Sequence, residues 1–469
     1  MIEEASRSLP ALVLHPVTAV LLLLLIRAAI KTPHASGRLL LFVVWLRYVM
    51  QAYHEWTYLS VGGLSINAIA SLMVCGIGGL LLFRRLPVLA RFPVIGTLVA
   101  VIIVSGLING VASPTFETLL KWGYFAVILL AVVDCMERDG DHRILGLLLW
   151  AFAPPLIYQA LSIGLGAGKA TESDGSVSYI GGYNHEAAFS VILVTCFAVA
   201  ALAPRLNLFL RLCLLVACIA GLFAANYRTS LIALAPLAAG YFVFGIARAV
   251  APGRRVIVSL IGLLIMSGGA ILANAIVADR MADLSALSDS QGLVRSPEEF
   301  SEADRKLLSG RLYIWNLYID QYAAGRDPQL VFGYGADSWI DRFGVYAHNT
   351  FISYLFEFGF AGAALIIMVL VGMLARAFTI RDWALRGQLV CTHLGFVCLS
   401  MATMPFWQIE GLILYGLVCG YTVALTPQRA GARQPDARYK PARWVRARQM
   451  SPSPDPSARD LDLPGMKST

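Results

Sequence analysis

The chain has 469 residues, 58% of them hydrophobic and 14% charged, with a formal net charge of +8. This balance excludes a soluble globular protein, because apolar stretches long enough to cross roughly 30 Å of hydrocarbon recur along almost the whole length. Each must be helical, since lipid offers no partner to an open backbone. The expected fold class is an all-α polytopic membrane protein with about 12–14 transmembrane helices and one large extracytoplasmic loop.

In chain order, spans are expected near 11–30, 38–56, 64–83, 92–109, 118–136, 144–165, 185–203, 207–225, 229–247 and 256–277. After the polar stretch 278–349, three more follow near 350–375, 387–403 and 408–425. The organisation is thus about ten spans over 1–277, an extracytoplasmic unit over 278–349, three spans over 350–425 and a basic disordered tail over 426–469. The first span reads as a retained helix, because Glu3 and Glu4 precede it against the single Arg7 and no clear small-residue cleavage site follows.

Basic residues set the orientation. Lys31 with Arg38, then Arg84, Arg85 and Arg91, then Arg138 and Arg143, Arg205, Arg248 with Arg254 and Arg255, and Arg376 with Arg381 and Arg386 all fall in alternate connections. Those connections are expected to face the cytoplasm, and the segment 278–349 the periplasm, as in a multi-pass inner-membrane protein. The tail from Gln428 to Arg448 carries seven Lys or Arg against Asp436 and is expected inside. It has no folded groove or aromatic ladder, so the reading is a membrane-apposed tail and not a nucleic-acid site.

The segment 278–349 holds eleven acidic and seven basic residues, a small hydrophilic unit. Within it Leu312, Trp315, Ile319 and Tyr322 recur at helical spacing after Ser309-Gly310, which predicts an amphipathic helix. The run Phe332-Gly333-Tyr334-Gly335-Ala336 reads as a flexible turn. The eight cysteines show no zinc spacing or disulfide framework and read as small apolar packing residues.

Where the segment re-enters the membrane, His348-Asn349 is followed after nine residues by Gly359 and then Gly362. Earlier come Gly181-Gly182-Tyr183-Asn184-His185-Glu186, Asn226-Tyr227-Arg228-Thr229-Ser230 and Ser309-Gly310-Arg311-Leu312. These four elements, in this order over about 180–362, resemble the superfamily of O-antigen ligases and Wzy-type O-antigen and exopolysaccharide polymerases. One departure is His185-Glu186, where relatives more often show Pro-Asn. The resemblance implies a membrane glycosyltransferase that moves glycan from an undecaprenyl-diphosphate carrier to an acceptor sugar hydroxyl, without metal or other cofactor.

On that resemblance Arg228 and Arg311 hold the donor diphosphate and His348 serves the transfer. The chemistry suits the residue types. Negative charge grows on the leaving diphosphate, so fixed cations aimed at it lower the barrier, and a guanidinium can meet phosphate oxygens through paired hydrogen bonds. His348 could take the acceptor proton, or only orient substrate. Structural alternatives stand beside these: Arg228 as an interfacial residue at a helix end, Arg311 as a solvated ion-pair residue, Asn349 as a helix cap, and Gly359 and Gly362 as close-packing positions. Asn184 and His185 are candidates for substrate binding or structure.

Two D-x-D patterns, Asp139-Gly140-Asp141 and Asp460-Leu461-Asp462, lie on the expected cytoplasmic side without a nucleotide fold and read as solvated loop and tail. The leading functional expectation is a polymerase, with an O-antigen ligase acting on lipid A-core next and a lipid-linked glycan flippase more remote. A chain-length regulator is a further expected partner of the polymerase.

Overall fold

The computed structural model describes residues 9–139, 143–170, 177–264, 266–268, 294–302, 304–305 and 310–427. The chain is an all-α polytopic membrane protein. Strands among the described residues amount to two short antiparallel hairpins, Ser60–Val61 with Leu64–Ser65 and Lys169–Ala170 with Val177–Ser178.

In chain order the principal helices are α1 (Ala11–Ile30), α2 (Ala35–Ala52), α3 (Ile66–Leu81), α4 (Pro93–Asn109), α5 (Ala112–Asp139), α6 (Arg143–Gly164), α7 (Glu186–Leu202), α8 (Leu208–Ala224) and α9 (Arg228–Ala239). The last of these continues through a π-turn at Gly240–Gly245. Then come α10 (Arg311–Ala323), α11 (Asp327–Phe332), α12 (Thr350–Ala377), α13 (Trp383–Ala402) and α14 (Ile409–Leu425).

Six helices among the described residues are long and apolar enough to cross a membrane. Several other expected spans are shorter: α4, α7, α8 and α14 each have 17 residues, about 26 Å at 1.5 Å per residue. The helix in the span expected near 64–83, Ile66–Leu81, ends at a 95° bend into Phe83–Arg91. Pro87 and three arginines in that second piece suit an interfacial turn better than hydrocarbon.

The centre of the bundle is α14 laid along α5. A Cβ on Gly420 would lie 2.8 Å from the Leu129 carbonyl oxygen, and one on Gly416 would lie 2.9 Å from Ile128 Cγ2. The Gly416-x-x-x-Gly420 spacing is what lets two backbones approach in lipid, where packing takes the place of a hydrophobic drive. Tyr415 adds a stack with Phe396 at 4.4 Å between ring centroids.

The two ends of α5 differ in chemistry. At its C-terminal end Asp134 receives Arg85 at 2.6 Å and Arg138 at 2.8 Å. At its N-terminal end the chain meets the segment 294–349: a Cβ on Gly335 would lie 2.4 Å from Val111 Cγ2. That segment is anchored by α10, whose buried face holds Leu312, Asn316 and Tyr318. Tyr318 takes the place expected of Ile319: its ring stacks on Phe343 at 4.2 Å and meets Phe356 at 5.1 Å.

The run Phe332–Ala336 is not a flexible turn. Tyr334 N–H donates to the Phe356 carbonyl at 3.0 Å and Gly335 N–H to the Glu357 carbonyl at 2.9 Å. These carbonyls are released because α12 breaks at Gly359, with φ 67° and ψ −169°. A Cβ at Gly359 would sit 2.3 Å from the Val331 carbonyl, and one at Gly333 would sit 2.3 Å from the Glu357 carbonyl carbon. Gly359 therefore serves a backbone crossing, and Gly362 sits under the Phe358 side chain.

The α5–α14 seam makes a direct prediction. Gly420→Val should overpack it and cost about 1–3 kcal/mol, read as a lower thermal midpoint of the detergent-purified protein. Val423→Ala, on the same helix away from that glycine spacing, should cost less. Equal midpoints for parent and Gly420→Val would refute the close approach.

Candidate active site

His348 is held in a left-handed backbone conformation, φ 50°. Among the described residues only Asn226 (φ 51°) and Asp337 (φ 55°) share this sign outside glycine. Asn226 opens the strip leading into α9, and Asp337 donates its N–H to Glu357 Oε2 at 2.9 Å and accepts from Trp407 Nε1 at 2.8 Å. Such conformations cost on the order of 1–3 kcal/mol each and persist only where surroundings over-determine them.

For His348 the surroundings are clear. Trp315 Nε1 donates to the Ala347 carbonyl at 2.8 Å, and Tyr318 Oη donates to the Val345 carbonyl at 2.8 Å. On its other side Asn349 caps α12, its Oδ1 accepting from Phe351 N at 2.9 Å and Ile352 N at 3.3 Å. Asn349 Nδ2 donates to the Met401 carbonyl at 3.1 Å. The structural role of Asn349 is thus plain, and it pins the imidazole of its neighbour.

Among the described residues nothing hydrogen-bonds His348 Nδ1, which is buried. Burial, then the positive Arg311, then His185 pull the His348 pKa down from 6.5 to about 3. The imidazole is therefore neutral over the physiological range and can accept a proton or a hydrogen bond.

Arg311 opens α10 directly after Gly310, φ 78°. Its Nη2 donates to Thr229 Oγ1 at 3.2 Å. Thr229 follows Arg228, the first residue of α9. The structure therefore brings the two sequence elements that carry arginines together. The Arg228 side chain lies outside the described residues. A fixed guanidinium beside a helix N-terminus is an arrangement suited to an anion.

His185 caps α7, with Nδ1 accepting from Ala187 N at 3.1 Å. That leaves Nε2 to carry the proton in the neutral ring, and it lies 3.3 Å from Tyr346 Oη. The Tyr346 ring in turn lies 4.0 Å from the His348 ring and runs parallel to Trp407 at 6.1 Å. Asn184 contributes its carbonyl to Lys169 Nζ at 2.9 Å, and Lys169 also pairs with Glu186 at 3.2 Å.

Sequence reasoning missed Tyr346, Trp407 and Asp337. The signal available was an aromatic next-but-one to His348 and a Trp in the connection before α14. Among the described residues no group of three or more His, Cys, Asp or Glu is placed to hold a metal ion. Residues 140–141 and 460–462 of the D-x-D patterns lie outside the described residues.

The site therefore belongs to a membrane-embedded helical protein that presents a fixed cation and a neutral imidazole on one wall. A family model described as O-antigen ligase matches residues 213–367, a range that includes Arg228, Arg311, His348, Asn349, Gly359 and Gly362. By that match residues 213–367 are similar to the O-antigen ligase family. This implies a glycosyltransferase-like membrane enzyme acting on lipid-linked glycan and an acceptor. No curated protein matches the chain.

The depressed His348 pKa can be checked in solution. In protein labelled at histidine, the His348 ring should remain neutral down to pH 5 or below, while an exposed histidine titrates near 6.5. Arg311→Gln removes the nearest positive charge and should move the His348 titration upward. A His348 midpoint near 6.5 in the parent would contradict the burial and charge described. The sign for stability follows: the unfolded chain binds this proton at about pH 6.5 and the folded one only near pH 3. The neutral burial of His348 therefore stabilises above the unfolded pKa and is lost progressively as pH falls below it.

Proposed function

We propose that the chain is a polysaccharide polymerase, building exopolysaccharide or O-antigen on the periplasmic face of the inner membrane from undecaprenyl-diphosphate-linked glycan. The observation that carries the reading is the meeting of Arg311 with the start of α9, beside the neutral His348. The donor diphosphate lies against Arg311 and the Arg228 end of α9. The acceptor hydroxyl oxygen attacks the anomeric carbon, forming the new glycosidic bond.

The bond from that carbon to the phosphate oxygen breaks, and its electron pair leaves with undecaprenyl diphosphate. The acceptor proton passes to His348 and then to solvent or to the leaving diphosphate. The arginines stabilise the charge that grows on the leaving group, and proton transfer by a placed imidazole contributes about 10²–10⁴-fold. With arginines carrying the phosphate charge, transfer needs neither divalent metal nor nucleotide. A ligase would use the same donor chemistry with lipid A-core as acceptor.

Three measurements test this reading. With lipid-linked glycan extracted from cells lacking the protein, the purified parent should polymerise it in excess chelator. Activity that appears only with magnesium or manganese would overturn the metal-free mechanism, and product formed only on added lipid A-core would make the protein a ligase.

Arg228→Lys and Arg311→Lys should weaken donor affinity at least tenfold, because the charge stays and the paired hydrogen bonds go. His348→Ala should slow single-turnover transfer about 10²-fold or more with little change in donor affinity. Normal turnover in His348→Ala would remove that residue from the chemistry. For orientation, Ser288→Cys in a cysteine-free background should react with an impermeant reagent in intact cells and Ser451→Cys should not; the reverse pattern would put the chemistry on the other face.

A further inference from the structure

Next to the His348 site, and sharing its wall, is a cavity of about 390 Å³ with charged and polar side chains in its lining, which the donor chemistry does not use. It opens among α2, α3, α5 and α14, and its lining includes Arg47, Asn67, Lys121, His185, Trp407 and Glu410. The size suits a small polar ligand or the end of a larger one.

The cavity is organised by a buried ion pair. Arg47 Nε donates to Glu410 Oε1 at 2.7 Å, with side-chain exposures of 11% and 1%. Gln51 Nε2 donates to the same oxygen at 2.8 Å, and Arg47 Nη1 donates to Asn67 Oδ1 at 3.1 Å. A buried pair of this kind often stabilises no better than apolar residues of the same volume, because desolvation offsets the attraction. Its presence therefore calls for another use. Arg47 and Glu410 both line the cavity. A carboxylate oxygen and a guanidinium N–H held side by side match a pair of sugar hydroxyls, each of which donates and accepts.

The position is equally specific. His185 and Trp407 line the cavity, and Tyr346 touches both: its Oη lies 3.3 Å from His185 Nε2 and its ring runs parallel to Trp407. Tyr346 also meets His348 at 4.0 Å between ring centroids. A sugar seated against Arg47 and Glu410 would lie beside His185 and Trp407, the two side chains that Tyr346 joins to the imidazole that serves the transfer. His185, which departs from the pattern of the resembling family, stands at that junction.

We infer that this cavity is the acceptor subsite, and that the Arg47–Glu410 pair with Asn67 binds the hydroxyls of the acceptor's terminal sugar. The assignment rests on the transfer reaction proposed above. Glu410→Gln keeps the shape and removes the carboxylate charge; Ala68→Phe fills the cavity from its α3 wall and leaves the ion pair in place, so a folding defect in the first variant does not decide the matter.

The probe is the carrier-free oligosaccharide released by mild acid from lipid-linked glycan of cells lacking the protein. Its binding to full-length protein in detergent is followed by ligand-observed NMR, beside transfer of the intact lipid-linked glycan. Expected are saturable binding to the parent, at least tenfold weaker binding to Glu410→Gln and Ala68→Phe, and undiminished binding to Arg311→Lys. Absence of binding to the parent, parent-like binding by both cavity variants, or loss in Arg311→Lys instead would each overturn the subsite. The reaction is judged separately: a parent that transfers while the cavity variants behave normally leaves the reaction standing and the subsite refuted. Cavity-dependent binding in a parent that transfers nothing does the opposite.

Discussion

A helix interrupted inside an apolar bundle must hand its released carbonyls to some donor, and the way α12 meets that requirement organises the rest of the protein. The break at Gly359 exposes the Phe356 and Glu357 carbonyls, and the loop at 333–335 supplies backbone N–H groups to both. Ser105 Oγ adds a third donor at 3.0 Å to Glu357 O, and Asn109 Nδ2 returns the tie by donating to Gly333 O at 3.0 Å. Because an unpaired peptide group costs several kcal/mol in this environment, these bonds act together. They fasten the polar segment to α12 through main chain and to α4 through the Asn109 side chain, while Ser105 ties α4 to α12. Two glycines are required since the strands of backbone cross too closely for any Cβ.

The placement of His348 follows from that fastening. With α12 fixed below the break, Asn349 can cap its first turn, and α10 can present Trp315 and Tyr318 to the carbonyls flanking the imidazole. The same docking carries Arg311 to Thr229. Arg311, Thr229 and His348 thus arrive from three separate stretches of chain, and burial keeps the imidazole neutral.

Much of this was legible from residue order. Span hydrophobicity gave the class, spacing gave α10, and His348-Asn349 stood out with Gly359 and Gly362 beyond it. What sequence could not supply was the partner of each break or charge. Phe332-Gly333-Tyr334-Gly335 looks like a flexible turn until the carbonyls released at Gly359 are known. Helical spacing favoured Ile319, but Tyr318 is chosen because Phe343 and Phe356 offer it faces to stack on. Arg47 falls inside the span expected near 38–56, and its meaning depends on Glu410, which lies 363 positions away in the chain. Hydropathy also does not fix helix ends: α4, α7, α8 and α14 stop at 17 residues, and the chain bends by 95° after Leu81.

The modest size of the cavity has a consequence for the proposed polymerase. If the acceptor seats there, a space of about 390 Å³ would hold the tip of a glycan and leave its body outside. Every elongated chain would then present the same face, whatever had been added before. Such a polymerase would have no internal ruler, and a uniform polymer length would have to be imposed by something that holds or releases the growing strand from outside the bundle.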